Sequence, residues 1–249
     1  MMTSCFLKFL APPLTSSEST VLLECNAARL ASAFQCNLHT VSAHEIKVTD
    51  VLPELVQPLP GLVLNADWLV SESNYFRWTT IGCDSGHVIV TVYDRRAHSL
   101  LAKSELKLEG PIAVLKWVFS SETDQMHLLI GPSLSSCHLW KCSLEAKQKL
   151  KLSTVLPLED SANNDCVMSA AATELSDGSA GWTALCCFGQ RLLIYKMWQS
   201  EDSSVSVSRY ASVHLAQPVM SALFVNSDSS SEIFVLVLTW SDLSLYKIQ

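Results

Sequence analysis

Trp78-Thr-Thr-Ile-Gly-Cys-Asp84-Ser85-Gly86-His-Val-Ile-Val-Thr-Val-Tyr-Asp94 sets two β-rich runs on either side of a tight turn. Gly86 can adopt the positive φ that such a turn requires. In the second run Val88, Val90 and Val92 fall on one face and Ile89, Thr91 and Tyr93 on the other. The stretch predicts a β-hairpin, and weaker copies of it recur downstream, so the remainder of the chain reads as repeats of one unit.

Four segments align with one another. Each opens with an apolar strand: Gly61 to Val70, Pro111 to Phe119, Cys166 to Thr173 and Pro218 to Val225. The openings fall near residues 61, 111, 165 and 218, a spacing of 50, 54 and 53 residues. A strand, turn and strand follow in each: Thr79 to Asp94, His127 to Cys142 around Gly131-Pro132, Thr183 to Met197 around Phe188-Gly189-Gln190, and Phe234 to Ile248 around Ser241-Asp242. Aromatic residues recur in register, Trp68 and Trp117 in opening strands and Tyr93, Trp140, Tyr195 and Tyr246 in the later strand. A period of about 50 residues built from short strands is the signature of a propeller blade. The alternative is a β-sandwich with evenly spaced strands.

The expected fold class is therefore all-β, a partial β-propeller of four to five four-stranded blades forming an open arc. The blades are expected at about 20–50, 61–108, 111–155, 165–213 and 218–249. Residues 1–19 read as a disordered leader, because Pro12, Pro13 and Thr15-Ser-Ser-Glu-Ser19 offer turns and no periodic apolar face. Lys8 breaks the short apolar run there, which argues against a signal peptide. Thr20 to Cys25, Leu30 to Gln35 and Thr40 to Val48 read as strands, with helix an alternative for Ala27 to Phe34. Pro53, Pro58 and Pro60 mark a crossing to the next sheet.

Composition narrows the function classes. At 49% hydrophobic residues, 249 residues suffice for a sizeable core. Charged residues make up 16% and the net charge is −7, with no basic stripe, which argues against nucleic acid or an anionic membrane surface as partner. Nine scattered cysteines and the lack of any Asn-x-Ser/Thr sequon point to a reducing, cytoplasmic setting. The longest apolar run, Ile233 to Trp240, is far short of the roughly 20 residues of a membrane helix.

Groupings that carry chemistry are weak throughout. There is no Gly-x-Ser-x-Gly elbow, phosphate-binding glycine loop or His-Glu-x-x-His. Cys137 and His138 lie next to each other on a strand and so face opposite ways, which keeps them from converging with Cys142 on a metal. Cys186-Cys187 reads as packed strand. His39, His44, His87, His98, His127 and His214 have no nucleophile or carboxylate at catalytic spacing in the sequence. The acidic turn Thr173-Glu-Leu-Ser-Asp177-Gly178 and the run Asn226 to Glu232 lack the alternating oxygen ligands of a calcium loop. No catalytic, cofactor-binding or metal residue is expected, the binding surface is unassigned, and the chain reads as a non-enzymatic scaffold. A propeller enzyme would need convergent groups from several blades.

Leu52-Pro-Glu-Leu55, the hairpin Ile81 to Val90 with Asp94, Glu109-Gly-Pro-Ile112, Phe188-Gly-Gln-Arg-Leu-Leu-Ile-Tyr-Lys196 and Pro218-Val-Met-Ser-Ala222 together resemble the kaptin family, in order and at similar separations. They span about residues 20 to 249, corresponding to roughly the second half of a kaptin chain. The family is similar to the integrin-alpha FG-GAP propellers, and Phe188-Gly189 stands where that repeat has its Phe-Gly pair. The Asp-x-Asp-x-Asp-Gly loop of those propellers maps onto Thr173, Leu175, Asp177 and Gly178, where only its end survives. The resemblance implies a subunit of the KICSTOR complex, which holds a GTPase-activating regulator at the lysosomal surface and restrains mTOR signalling in response to nutrients. It implies the other KICSTOR subunits as partners and, as an alternative role, association with actin filaments. It also implies seven blades, more than four or five repeats supply. An open arc would leave strand edges near Thr20 and Ile248 unpaired, so the chain is expected to need a neighbour.

Overall fold

The computed structural model describes residues 3–10, 20–28, 34–41, 46–51, 59–70, 75–120, 125–145, 149–158, 166–174, 180–187, 190–200, 205–226 and 232–248. The Leu52-Pro-Glu-Leu55 and Phe188-Gly189 motifs, His44 and the loops at 175–179 and 227–231 lie outside the described residues. All the regular structure described is β-strand, in five antiparallel sheets that follow the chain in order. The first sheet holds β1 (Thr3–Leu10), β2 (Thr20–Ala28), β3 (Phe34–Val41) and β4 (Ile46–Val51). The second holds β5 (Val63–Val70), β6 (Phe76–Cys83), β7 (His87–Asp94) and β8 (Ser99–Lys107). The third holds β9 (Ile112–Ser120), β10 (Gln125–Pro132), β11 (His138–Glu145) and β12 (Lys149–Pro157). The fourth holds β13 (Val167–Glu174), β14 (Ala180–Cys187), β15 (Arg191–Gln199) and β16 (Val205–His214). The fifth has three strands, β17 (Val219–Asn226), β18 (Ile233–Thr239) and β19 (Leu243–Ile248). Successive meandering sheets of this kind are the blades of an all-β propeller.

The stretch expected to be a disordered leader contains β1, which pairs with β2 along its whole length, from Thr3 opposite Ala28 to Leu10 opposite Val21. A single lysine breaks the apolar core of a signal peptide, but a strand tolerates it because alternate positions face opposite ways. The first sheet consequently starts with β1, and Thr20 begins its second strand. The turn expected at Gly131-Pro132 falls slightly later, since both residues end β10.

The chain divides into two compact units, Met1–Ile112 with Glu145–Leu150, and Ala113–Leu144 with Lys151–Gln249. In the first, β6 and β7 are buried along nearly their whole length. Ile81, Val88, Val90 and Val92 are fully enclosed, as are Thr79 and Thr91, which pair across the two strands. Strands at the centre of a blade are covered on both faces, which is why Thr-Thr-Ile-Gly-Cys and Val-Ile-Val-Thr-Val read as continuous apolar or β-branched runs. The outer strand β8 alternates between covered and exposed positions. Arg77, buried in β6, lies over the Tyr93 ring at 4.8 Å.

In the second unit the fourth sheet packs on both sides. One face shares a core of Val114, Val118, Leu129 and Leu139 with its own Val167, Leu185, Leu193 and Met197. The other face, with Ala171, Trp182, Ala184, Leu192 and Ile194, packs on Val219, Ala222, Val235, Val237 and Ile248 of the fifth sheet. Its central strand β14 is buried at every position.

The sheets share two local devices. The first strand of the second, fourth and fifth sheets carries a register shift just after its opening valine, at Val63/Asn65, Val167/Ser169 and Val219/Ser221. The leucine that follows the fourth strand donates its amide to a carbonyl at the turn between the second and third strands. These bonds are Leu108 N to Gly86 O at 2.9 Å, Leu158 N to Cys137 O at 2.9 Å and Leu215 N to Gln190 O at 2.8 Å. The turns use positive φ at Gly86 (84°) and Gln190 (68°).

Gly86 combines that φ with close approach, since a Cβ there would lie 2.3 Å from the Leu108 carbonyl oxygen and 2.9 Å from that of Gly110. Gly86→Val is expected to destabilise the protein by about 2 kcal/mol or more, through backbone strain together with displacement of the Leu108 crossing. Denaturant titration measures this, and an unchanged midpoint would show that the turn does not hold the blade.

Candidate functional site

The tip of the β6–β7 hairpin gathers several polar groups. Asp84 and Leu62 are tied twice, Asp84 N to Leu62 O at 2.9 Å and Leu62 N to Asp84 Oδ1 at 2.8 Å. Ser85 Oγ and His87 Nδ1 share a hydrogen bond of 2.9 Å, and His87 Nε2 lies 3.9 Å from Glu105 Oε1. His87 thus has a hydroxyl and a carboxylate beside it, contrary to the sequence expectation. Glu105 arrives because β7 and β8 pair in register, Ile89 opposite Glu105 and His87 opposite Lys107.

The three groups resemble a nucleophile, base and acid in identity only. Serine and histidine are two residues apart in one turn, and the histidine–carboxylate distance exceeds a hydrogen bond. An acyl-transfer site also needs free amide donors for an oxyanion. Here Asp84 N is bonded to Leu62 O and Gly86 N to Cys83 O. The cluster stitches the turn to its neighbours.

The cysteines singled out in the sequence are packing residues. Cys186 and Cys187 are adjacent yet belong to different cores, Cys187 on the face toward the third sheet and Cys186 on the face toward the fifth. Cys137 sits in the first of these cores, and His138 Nδ1 lies 2.8 Å from the Ser136 carbonyl oxygen. Among the described residues no group of three or more His, Cys, Asp or Glu is placed to hold a metal. Burial, reinforced by the nearby Asp84 and Glu105 charges, pushes the Cys83 thiol from 9.0 up to about 11. Burial pushes Cys186 from 9.0 to about 11 as well, against a hydrogen bond from Ser169, and raises Cys142 further.

The most exposed apolar surface of the second unit lies on the fifth sheet. Register places Leu223 opposite Leu236 and Leu236 opposite Leu245, with Leu238 opposite Leu243 and Val225 opposite Phe234. These side chains share the face directed away from the fourth sheet, because Val235, Val237 and Ile248 take the other. Leu223 is 60% exposed, Leu243 64% and Leu245 57%. Trp240, in the turn beside them, is 77% exposed. This face is not legible in the sequence, since strands apolar on both sides ordinarily lie inside a stack of blades.

Serial antiparallel meanders of this kind define a β-propeller protein. A family model described as KICSTOR complex protein kaptin matches residues 13–243, and the chain belongs to that family. No curated protein matches the chain. Among solved structures it is similar to a Chaetomium thermophilum polycomb repressive complex 2 chain, with TM-score 0.63 and 11% identity over 98% of this chain and 48% of that one. It is also similar to the NanB sialidase from Streptococcus pneumoniae, with TM-score 0.56 and 14% identity over 86% of this chain and 34% of that one. At such identities the likeness is one of fold. The chain spans about half of the first and a third of the second. Among the described residues no helix is long and apolar enough to cross a membrane.

The thiol shifts predict the alkaline behaviour. Thiols freed by unfolding ionise near 9.0, while Cys83 and Cys186 in the folded protein hold their protons to about 11. Their contribution to stability is therefore intact below pH 9 and is lost as pH rises from 9 to 11. Iodoacetamide at pH 7.5 should label both slowly in the native protein and rapidly in denaturant; rapid native labelling of either would contradict the burial. A fluorophosphonate probe should leave Ser85 unmodified, and covalent labelling there would restore an enzymatic reading.

Proposed function

We propose that the chain is a non-enzymatic scaffold subunit of the KICSTOR complex, helping to hold a GTPase-activating regulator at the lysosomal surface and thereby restraining mTOR signalling when nutrients are scarce. The match of residues 13–243 to the family of the KICSTOR complex protein kaptin carries this reading. Two features support it. The polar cluster most like a catalytic one has its neighbouring amides engaged in the turn, and the exposed surface of the fifth sheet is apolar, as protein-binding surfaces often are. The setting is cytoplasmic, with the lysosome reached through the complex, and the partners are the other subunits.

Affinity purification of the tagged chain from nutrient-starved and nutrient-fed cells tests the assignment. The other complex subunits should co-purify at near-equal amounts, and removing the chain should leave mTOR activity high during starvation. Recovery of actin filaments without complex subunits would replace this role by a cytoskeletal one. Recovery of neither would overturn the scaffold reading.

A further inference from the structure

Directly opposite residues of an antiparallel strand pair share one face of the sheet, with Cα atoms about 4.5 or about 5.5 Å apart according to their place in the hydrogen-bond ladder. Both separations lie within the roughly 4.4 to 6.8 Å across which a disulfide can close. Register in the first sheet places Cys25 of β2 opposite Cys36 of β3. The pairing around them runs without a shift, from Thr20 opposite Val41 to Ala27 opposite Phe34. β4 ends at Val51 opposite Asn37, so Cys36 lies one residue past the described pairing of β3 with β4.

Among the described strands no other two cysteines stand opposite each other. Cys5 of β1 is opposite Asn26, Cys83 of β6 opposite Val63, Cys142 of β11 opposite Met126, and Cys186 and Cys187 of β14 opposite Ser169 and Val167. The other thiols are also poorly placed to react. Cys83, Cys137, Cys142, Cys186 and Cys187 are buried, and burial holds the proton on Cys83, Cys142 and Cys186, whereas the thiolate is the form an oxidant attacks. Cys166 donates its thiol proton to the Ser133 carbonyl oxygen at 2.8 Å.

We propose that Cys25 and Cys36 are a reversible redox site, two thiols in the reduced chain and a disulfide joining β2 to β3 in the oxidised one. Hydrogen peroxide is the oxidant class that fits two thiols and no cofactor. One thiolate attacks a peroxide oxygen, so that an S–O bond forms, the O–O bond breaks and the departing hydroxide takes a proton to become water. The second thiolate then attacks the sulfenic sulfur; the S–S bond forms, the S–O bond breaks and a second water leaves. Two thiols and one peroxide thus give one disulfide and two waters. In a reducing compartment the pair rests as thiols and closes only while oxidant is in excess. The bridge ties the two middle strands of the first sheet and closes the hairpin between them into a loop, which resists separation of those strands.

Peptide mapping of the full chain tests this directly. Trypsin cuts after Lys8, Arg29 and Lys47, so Cys25 and Cys36 fall in separate peptides, residues 9–29 and 30–47, each with a single cysteine. After brief peroxide treatment, alkylation and digestion without reductant, these two peptides should appear linked to each other, and dithiothreitol should separate them. The linkage should form roughly tenfold or more faster in the folded chain than in concentrated urea, because the register holds the two thiols together. Cys25→Ser and Cys36→Ser should each abolish it and Cys166→Ser should leave it unchanged, with denaturant titration to establish that each variant folds. The comparison of folded chain with urea needs no variant and decides the matter where one fails to fold. Both peptides recovered unlinked and alkylated overturn the proposal. So do linkage of either to the peptide that carries Cys5 in preference to each other, sulfinic acid in place of the bridge, and equal rates in the folded chain and in urea.

Discussion

In the second, third and fourth sheets the chain must return from the outer strand to the start of the next sheet, and one backbone hydrogen bond fixes that return. The amides of Leu108, Leu158 and Leu215 donate to carbonyls at the turn between the second and third strands of their own blade. The crossing chain is thereby held over the end of the sheet, and the turn and the crossing position one another. One such bond contributes only about 1 kcal/mol net, but leaving its donor or acceptor buried and unpaired costs about 1 to 3 kcal/mol. The bond thus matters more as a constraint on where the chain can go than as a source of stability. Most of the favourable energy lies in the stacked faces, where the fourth sheet shares one core with the third and another with the fifth.

Much of this was legible in the sequence because each blade repeats side chains as well as backbone. The opening valines recur as Val63, Val167 and Val219, and the aromatic residues Tyr93, Trp140, Tyr195 and Tyr246 all fall in the third strand of their sheets. The hairpin at Asp84-Ser85-Gly86 was readable from one glycine with a conformational duty. By contrast, β1 lies in a stretch that reads as leader, because Pro12, Pro13 and Thr15-Ser-Ser-Glu-Ser19 offer turns and no periodic apolar face, although its partner β2 is the very next strand. The clasping bonds were missed although Leu108-Glu-Gly-Pro111 and Leu215-Ala-Gln-Pro218 repeat a leucine three residues before a proline. A main-chain bond formed after a strand has ended leaves no periodic trace.

The candidate sites show a similar division. The separation of Cys186 from Cys187 follows from strand alternation alone, and the structure assigns them to different cores. The contact between His87 and Glu105 spans two strands and depends on their register, which spacing along one strand cannot reveal. Even with the groups together, chemistry does not follow from proximity. Ser85 sits in the turn that carries His87, and the amides beside it complete the turn. A reactive oxyanion would find its stabilising donors already committed.

The fifth sheet sharpens what apolar strands mean in a repeat. Ile233-Phe-Val-Leu-Val-Leu has nonpolar residues on both faces, and the usual inference is that both are buried. Only Ile233, Val235 and Val237 are, against the fourth sheet; Leu238 on the opposite face stays open. An apolar pattern on two faces therefore records that two surfaces have been shaped for contact, and it leaves open whether the second partner is part of the same folded unit. A face filled within the chain adds stability through burial, as Val235 and Val237 do against the fourth sheet.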